Sequence, residues 1–146
     1  MKIAIGCDHG ALALKETVKK VLSELGMDMD DLGTFTEESV DYPDIAEKVC
    51  EKIAAGESER GVVLCGTGIG ISIAANKMKG IRCALCGDVY SARMARAHND
   101  ANVLALGGRV LGPGLAGEIV RAFFTQGFEG GRHARRVGKI MALEQK

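Results

Sequence analysis

The sequence predicts an α/β protein, a five-stranded parallel sheet covered by helices on both faces. Three features carry that reading. Short apolar runs alternate with amphipathic stretches from end to end, the rhythm of repeated strand–helix–strand units. The runs are nearly free of polar residues, and a strand with no polar side has no face to turn to water, which suits a parallel sheet buried between two helical layers. Glycines mark the junctions of run and helix: Gly6 and Gly10; Gly66, Gly68 and Gly70; Gly87; Gly107-Gly108.

The elements follow in order. Ile3-Ala4-Ile5 opens the first strand, and Leu12 to Leu25 is amphipathic at helical spacing. Met27 to Leu32 is the polar exception, because Asp28, Asp30 and Asp31 suit an edge strand or a loop, and it is counted here as the second strand. Asp41-Tyr42-Pro43-Asp44 reads as an N-capped helix start with Pro43 at the first helical position, and it leaves Tyr42 free to line a cleft. Val62 to Cys65 and then Ile69 to Met78 give the third strand and its helix. Ile81 to Cys86 with Tyr90 to Ala97, and Val103 to Leu106 with Leu115 to Phe124, complete the alternation. A final helical segment, 132–146, is expected to pack at a subunit interface.

The chain has 146 residues and is read as one domain, 1–146, long enough to bury about 70% of its unfolded surface without metal or disulfide support. Its 19 basic residues balance 19 acidic ones, which argues against a nucleic-acid partner; Trp is absent and aromatics are 4%, so stacking platforms are also lacking. No apolar run reaches the roughly 18 residues of a membrane span, and Met1-Lys2 leads straight into Ile3 with no signal-peptide core, so a cytoplasmic protein that contacts no membrane is expected. Five cysteines, Cys7, Cys50, Cys65, Cys83 and Cys86, are an odd number set mostly in apolar runs, which fits a reducing compartment. Cys83 and Cys86 form a C-x-x-C inside a strand. Their odd spacing sends them to opposite faces, as structural thiols with no second pair to build a zinc site.

Chemistry concentrates at the strand ends. In open α/β sheets ligands bind outside the carboxyl ends of the strands, so a site should draw on the segments after Cys7, Cys65, Cys86 and Leu106. Cys65-Gly66-Thr67-Gly68-Ile69-Gly70 places a thiol before a glycine turn that opens a helix. Converging amides there stabilise an oxyanion or phosphate, and the same field favours a thiolate. The residues alone also fit a buried Cys beside a packing turn. Neither the dinucleotide nor the P-loop glycine pattern is present. Asp8-His9 follows the first strand and should face the same crevice, although a capping Asp and a surface His would look alike. His98, at a helix end before Asn99-Asp100, suits either a proton-transfer group or a dipole partner. Arg132 and Arg136, four apart, can grip a phosphate together, and Arg109 can add a third contact; a solvated basic face is the bland alternative.

In combination and in this order, the chain resembles the ribose/galactose isomerase family, and within it ribose-5-phosphate isomerase type B. The resemblance rests on Gly6-Cys7-Asp8-His9-Gly10, Asp41-Tyr42-Pro43, Cys65 through Lys77, His98-Asn99-Asp100-Ala101-Asn102-Val103 and Glu129-Gly130-Gly131-Arg132-His133. It implies a Rossmann-like three-layer α/β/α sandwich and a reversible conversion of D-ribose 5-phosphate to D-ribulose 5-phosphate, without metal or organic cofactor. By position it implies Cys65 as the base and His98 as the ring-opening group, with Gly66, Thr67, Gly68, Ile69 and Gly70 around the oxyanion. It further implies Asp8, His9, Tyr42, Asn99, Arg109, Arg132 and Arg136 as substrate contacts, in a homodimer or homotetramer whose sites are shared between subunits. Ala11 stands where the family often has glycine. The remaining alternatives are a hexose 6-phosphate substrate or a noncatalytic phosphosugar-binding module.

Overall fold

The computed structural model describes residues 1–146, and its elements follow the expected alternation. They are β1 (Lys2–Cys7), α1 (Leu12–Glu24), β2 (Asp28–Asp31), α2 (Tyr42–Ala54), β3 (Arg60–Cys65), α3 (Ile69–Ala75), β4 (Cys83–Leu85), α4 (Val89–Ala97), β5 (Val103–Gly107), α5 (Pro113–Thr125) and α6 (Arg132–Ala142), closed by a 3-10 turn at Leu143–Gln145. The sheet is five-stranded and wholly parallel, in the order β2-β1-β3-β5-β4. The acidic second run is an edge strand, as its aspartates require.

Alternation along each strand sorts the core into two layers. Ile3, Ile5, Cys7, Val62, Leu64, Leu104 and Leu106 face α1, α4 and α5 in the larger cluster. Ala4, Val63, Cys65, Val103 and Ala105 face α2 and α3 in the smaller one. Cys86 belongs to the first layer and Cys83 packs on the second, so the C-x-x-C thiols do part to opposite faces, and all five cysteines are free.

Three local readings need correction. The third helix ends at Ala75 rather than Met78, because the Asn76 side chain bonds both the N–H and the C=O of Cys83 (2.7 and 2.9 Å) and draws the chain toward the edge strand. The fourth strand is only Cys83–Leu85. Asp41 stands at the N-cap of α2 with Pro43 in the first turn, yet its side chain makes no capping bond. The cap the sequence conceals is Asp88, which accepts from the Ser91 N–H at 2.7 Å and starts α4.

α6 lies apart from both layers, and of its residues only His133 is buried. It runs along the amino edge of the sheet on the β4 side, where Met141 meets Arg82 and Glu144 accepts from Gly80 N–H. Ile140 and Leu143 remain exposed on it.

Candidate active site

The register of β1, β3 and β5 brings their carboxyl ends side by side, with Cys7 beside Leu64 and Cys65 beside Gly107. Cys65 ends β3 with its sulfur nearly buried, 5% exposed overall, and the backbone N–H of Gly68 donates to Sγ at 3.1 Å. Gly68 makes this possible by adopting φ +79, and a Cβ there would meet Leu85 and the Leu106–Gly107 backbone at 2.7–3.0 Å. Only glycine satisfies both demands without strain. The turn is tied to the loop after β5 by Gly108 N–H to Cys65 C=O (2.8 Å) and Arg109 N–H to Gly66 C=O (2.9 Å). The Arg109 guanidinium then folds over Gly66, and Thr67 Oγ1 accepts from Ile69 N–H at 3.2 Å, opening α3.

The neighbouring turns close around this point. Tyr42, at the start of α2, lies on Gly70, where a Cβ would come within 2.6–2.8 Å of the phenol ring and hydroxyl. Asp8 is buried and accepts from Gly10 N–H at 2.8 Å, so it braces its own turn while Ala11 takes the helix cap position. Gly10 in turn approaches the Gly66 backbone. His9 accepts the Val40 N–H on Nδ1 at 3.2 Å, which leaves Nε2 as the nitrogen that carries the ring proton. A hollow of about 390 Å³ opens beside the Cys65 turn, lined by Thr67, Ile69, Leu85, Gly107 and Val110 among others.

A second cluster lies at the opposite edge of the sheet. α4 runs back against the strands and delivers His98, its C-cap, and Asn99 to the amino end of β5. Arg82 donates to the Asp100 carbonyl (2.7 and 3.0 Å), and buried Arg96 reaches the Asp100 carboxylate (2.9 Å) and the Ala101 carbonyl (2.6 Å). These bonds pin a turn in which Asp100 has φ +46. His98 stacks on His133 with ring centroids 4.1 Å apart and planes 6° from parallel. Glu129 Oε1 lies 3.8 Å from His98 Nε2 and 3.5 Å from His133 Nε2, and its backbone N–H donates to Ala97 C=O at 3.0 Å. Burial, then the charges of His98 and Arg132, push His133 below the usual histidine range. Arg132 and Arg136 are exposed on the same first turns of α6.

The site residues read from the sequence thus fall into two groups within one chain. Asp8, His9, Tyr42, Cys65 to Gly70 and Arg109 gather at the carboxyl edge. His98, Asn99, Arg132 and Arg136 gather at the amino edge. β3 and β5 pair from Gly61–Val103 to Cys65–Gly107, four steps of about 3.3 Å, so the two groups are separated by about 13 Å of strand. The first group converges around Cys65; the second does not reach it. Sequence reasoning assigned no role to Glu129 or His133, and no helical spacing relates them, since Gly130 and Gly131 take φ +70 and +57 between Glu129 and the start of α6. The link between His9 and Val40 had no signal, since the loop between them and β2 carries no local pattern.

Burial holds the other thiols protonated. Cys7 and Cys86 are pushed up to about 11 and Cys50 to about 12, while Cys83 is driven higher still. None of their sulfurs accepts a backbone N–H as that of Cys65 does.

Residues 3–140 match the family model described as Ribose/Galactose Isomerase. The chain is 50% identical to ribose-5-phosphate isomerase B of Escherichia coli (strain K12), over 99% of this chain and 97% of that protein. It is 48% identical to a protein named D-erythrulose-4-phosphate isomerase in Pectobacterium atrosepticum, over 100% and 97%. Among solved structures, ribose-5-phosphate isomerase B of Clostridium thermocellum superposes with a TM-score of 0.97 at 55% identity, covering 99% of this chain and 98% of that one. Because the family model spans residues 3–140 and the Escherichia coli relative is half identical over nearly the whole of both chains, the chain belongs to the ribose/galactose isomerase family.

Proposed function

We propose that the chain is an aldose–ketose isomerase that interconverts D-ribose 5-phosphate and D-ribulose 5-phosphate through an enediolate. One observation carries the reading: a nearly buried sulfur sits at a strand end with the Gly68 amide aimed at it from 3.1 Å. The reaction needs a base beside the two carbons, donors for the oxygen charge and an anchor for the remote phosphate. Cys65 takes the proton from C2 of the open-chain aldose as thiolate, and the electron pair forms the C1=C2 double bond and charges O1 to make the enediolate; the O2 hydroxyl proton passes to O1, and the thiol returns its proton to C1 as C2=O forms. Amides of the Gly66–Gly70 turn stabilise the oxygen that carries the charge. Arginines hold the phosphate, and His98 transfers the proton that opens the sugar ring.

The separation of the two groups within one chain supports a site shared between chains, in which the partner's His98 serves Cys65. The loosely attached α6, with Ile140 and Leu143 exposed, supports residues 132–146 as part of that subunit contact. No helix is long and apolar enough to cross a membrane.

The test is purified protein with ribose 5-phosphate in EDTA, watching for ketose. Turnover supports the isomerase; tight binding with no turnover rejects it in favour of a binding module. A second reading keeps the chemistry and changes the sugar, since a relative at 48% identity is named for a four-carbon phosphate. Tetrose, pentose and hexose phosphates compared by kcat/KM in one assay decide it.

A further inference from the structure

We propose that His98, Glu129 and His133 form an inhibitory binding site for a borderline divalent transition metal such as Zn²⁺ or Co²⁺. Their ligating atoms all lie within 4.8 Å of one another. Two imidazoles and one carboxylate are a donor set that binds zinc with a fourth position open to water. Both imidazole nitrogens face the same carboxylate oxygen, at 3.8 and 3.5 Å, at or beyond the reach of an ordinary hydrogen bond. With metal–ligand bonds near 2.0–2.1 Å, the edge of a tetrahedral site is about 3.4 Å, so these pairs need to close by only a few tenths of an ångström.

The scaffold favours that closure. Glu129 and His133 are four residues apart across the start of α6, and the Glu129 backbone is bonded to the end of the helix that carries His98. The His133 side chain is 8% exposed and fixed, while that of His98 is 38% exposed. Parallel rings cannot both point lone pairs at one ion, so His98 is the ring that turns out of the stack. Arg132 and Arg136 oppose a dication there, and Glu129 is the carboxylate that offsets them. The expected binding is thus moderate and reversible rather than that of a permanent structural metal. A metal on His98 occupies the lone pair that ring opening needs.

The inhibitory part rests on the isomerase reading; the binding part does not. The competing ligand for such ions is the Cys65 thiolate, and spectroscopy separates the two. Titration of the purified assembly with Co²⁺ should give visible bands of nitrogen and oxygen ligation, without the charge-transfer band of a thiolate, saturating at one ion per chain. Glu129→Gln, at a half-exposed side chain that should not disturb folding, and His133→Asn should each weaken this binding by tenfold or more, while Cys65→Ala leaves it unchanged. Zn²⁺ should inhibit turnover of ribose 5-phosphate, reversibly with EDTA, and Glu129→Gln should shift the inhibition curve upward by the same factor. Absence of Co²⁺ binding, or binding lost in Cys65→Ala and kept in Glu129→Gln, overturns the site. A protein that binds Co²⁺ as described but never turns over the sugar upholds the site and rejects the isomerase.

Discussion

The Cys65 sulfur accepts the amide of Gly68, three residues further along the chain, at 3.1 Å. A negative sulfur gains more from that amide than a neutral thiol does, because a charged acceptor makes the stronger bond. If the thiolate is the base, Cys65→Ala should lower kcat by at least about 10²- to 10⁴-fold while the fold, read by circular dichroism, is retained. Cys65→Ser should be almost as poor, since a hydroxyl keeps the size but is far harder to ionise. Near-normal turnover in either variant removes the thiol from the chemistry.

Tyr42 and Gly70 touch so closely that any side chain at 70 meets the phenol ring at 2.6–2.8 Å. Gly70→Ala should therefore push Tyr42 off the turn rather than unfold the protein, because Tyr42 is 39% exposed and can swing outward. A displacement near 1 Å at a positioning residue can cost up to about 10²-fold in kcat/KM. The cause is checked by a double-mutant cycle. Gly70→Ala added to Tyr42→Ala should cost little more, and full additivity would show that the clash is not the mechanism.

Lys15 is buried on α1 and bonds Asp31 at 2.9 Å and the Thr34 carbonyl at 2.7 Å, tying the edge strand to the loop that leads to Val40 and His9. Burial works to raise the Asp31 pKa, but bonds from Lys15, Lys19 and the Gly33 N–H outweigh it, and the carboxyl ends below its usual value. A folded-state pKa below the unfolded one adds stability that is present above the unfolded value, near 3.9, and is lost as pH falls through the folded one. Denaturation midpoints should thus drop below about pH 4 partly through this group. Lys15→Met removes one cation and leaves Lys19 bonded to Asp31 at 2.9 Å, so the loss should sit at the low end for a buried pair, about 3 kcal/mol by urea unfolding. The same variant should flatten the acid limb.

The sheet was legible because its strands are apolar on both sides and its turns are glycine, two signals that survive without tertiary context. Met27 to Leu32 was readable as an edge for the opposite reason, since three aspartates cannot be buried between layers. The Cys65 turn was also legible, as thiol, glycines and helix start are contiguous. Helix ends were less so: Asn76 stops α3 by bonding Cys83 seven residues away, which no local propensity encodes. The pairing of His98 with His133 and Glu129 was hidden for the same reason. It depends on α6 returning along the amino edge of the sheet, and only the fold determines that path.

Because Cys65 and His98 occupy opposite edges of one chain, a shared site makes a prediction that a self-contained one cannot. In a dimer of that kind, each site combines Cys65 of one chain with His98 of the partner subunit. Cys65→Ala and His98→Asn chains should each be nearly inactive alone. Mixed, unfolded and refolded together, half of the dimers are hybrids. Each hybrid holds one site with both native residues and one with neither, so about a quarter of the wild-type activity per chain should return. If each site lay within a single chain, every site in the mixture would still lack one of the two groups and no activity would appear. The mixing experiment needs no structure of the assembly, and its readout separates the two architectures by presence against absence of turnover.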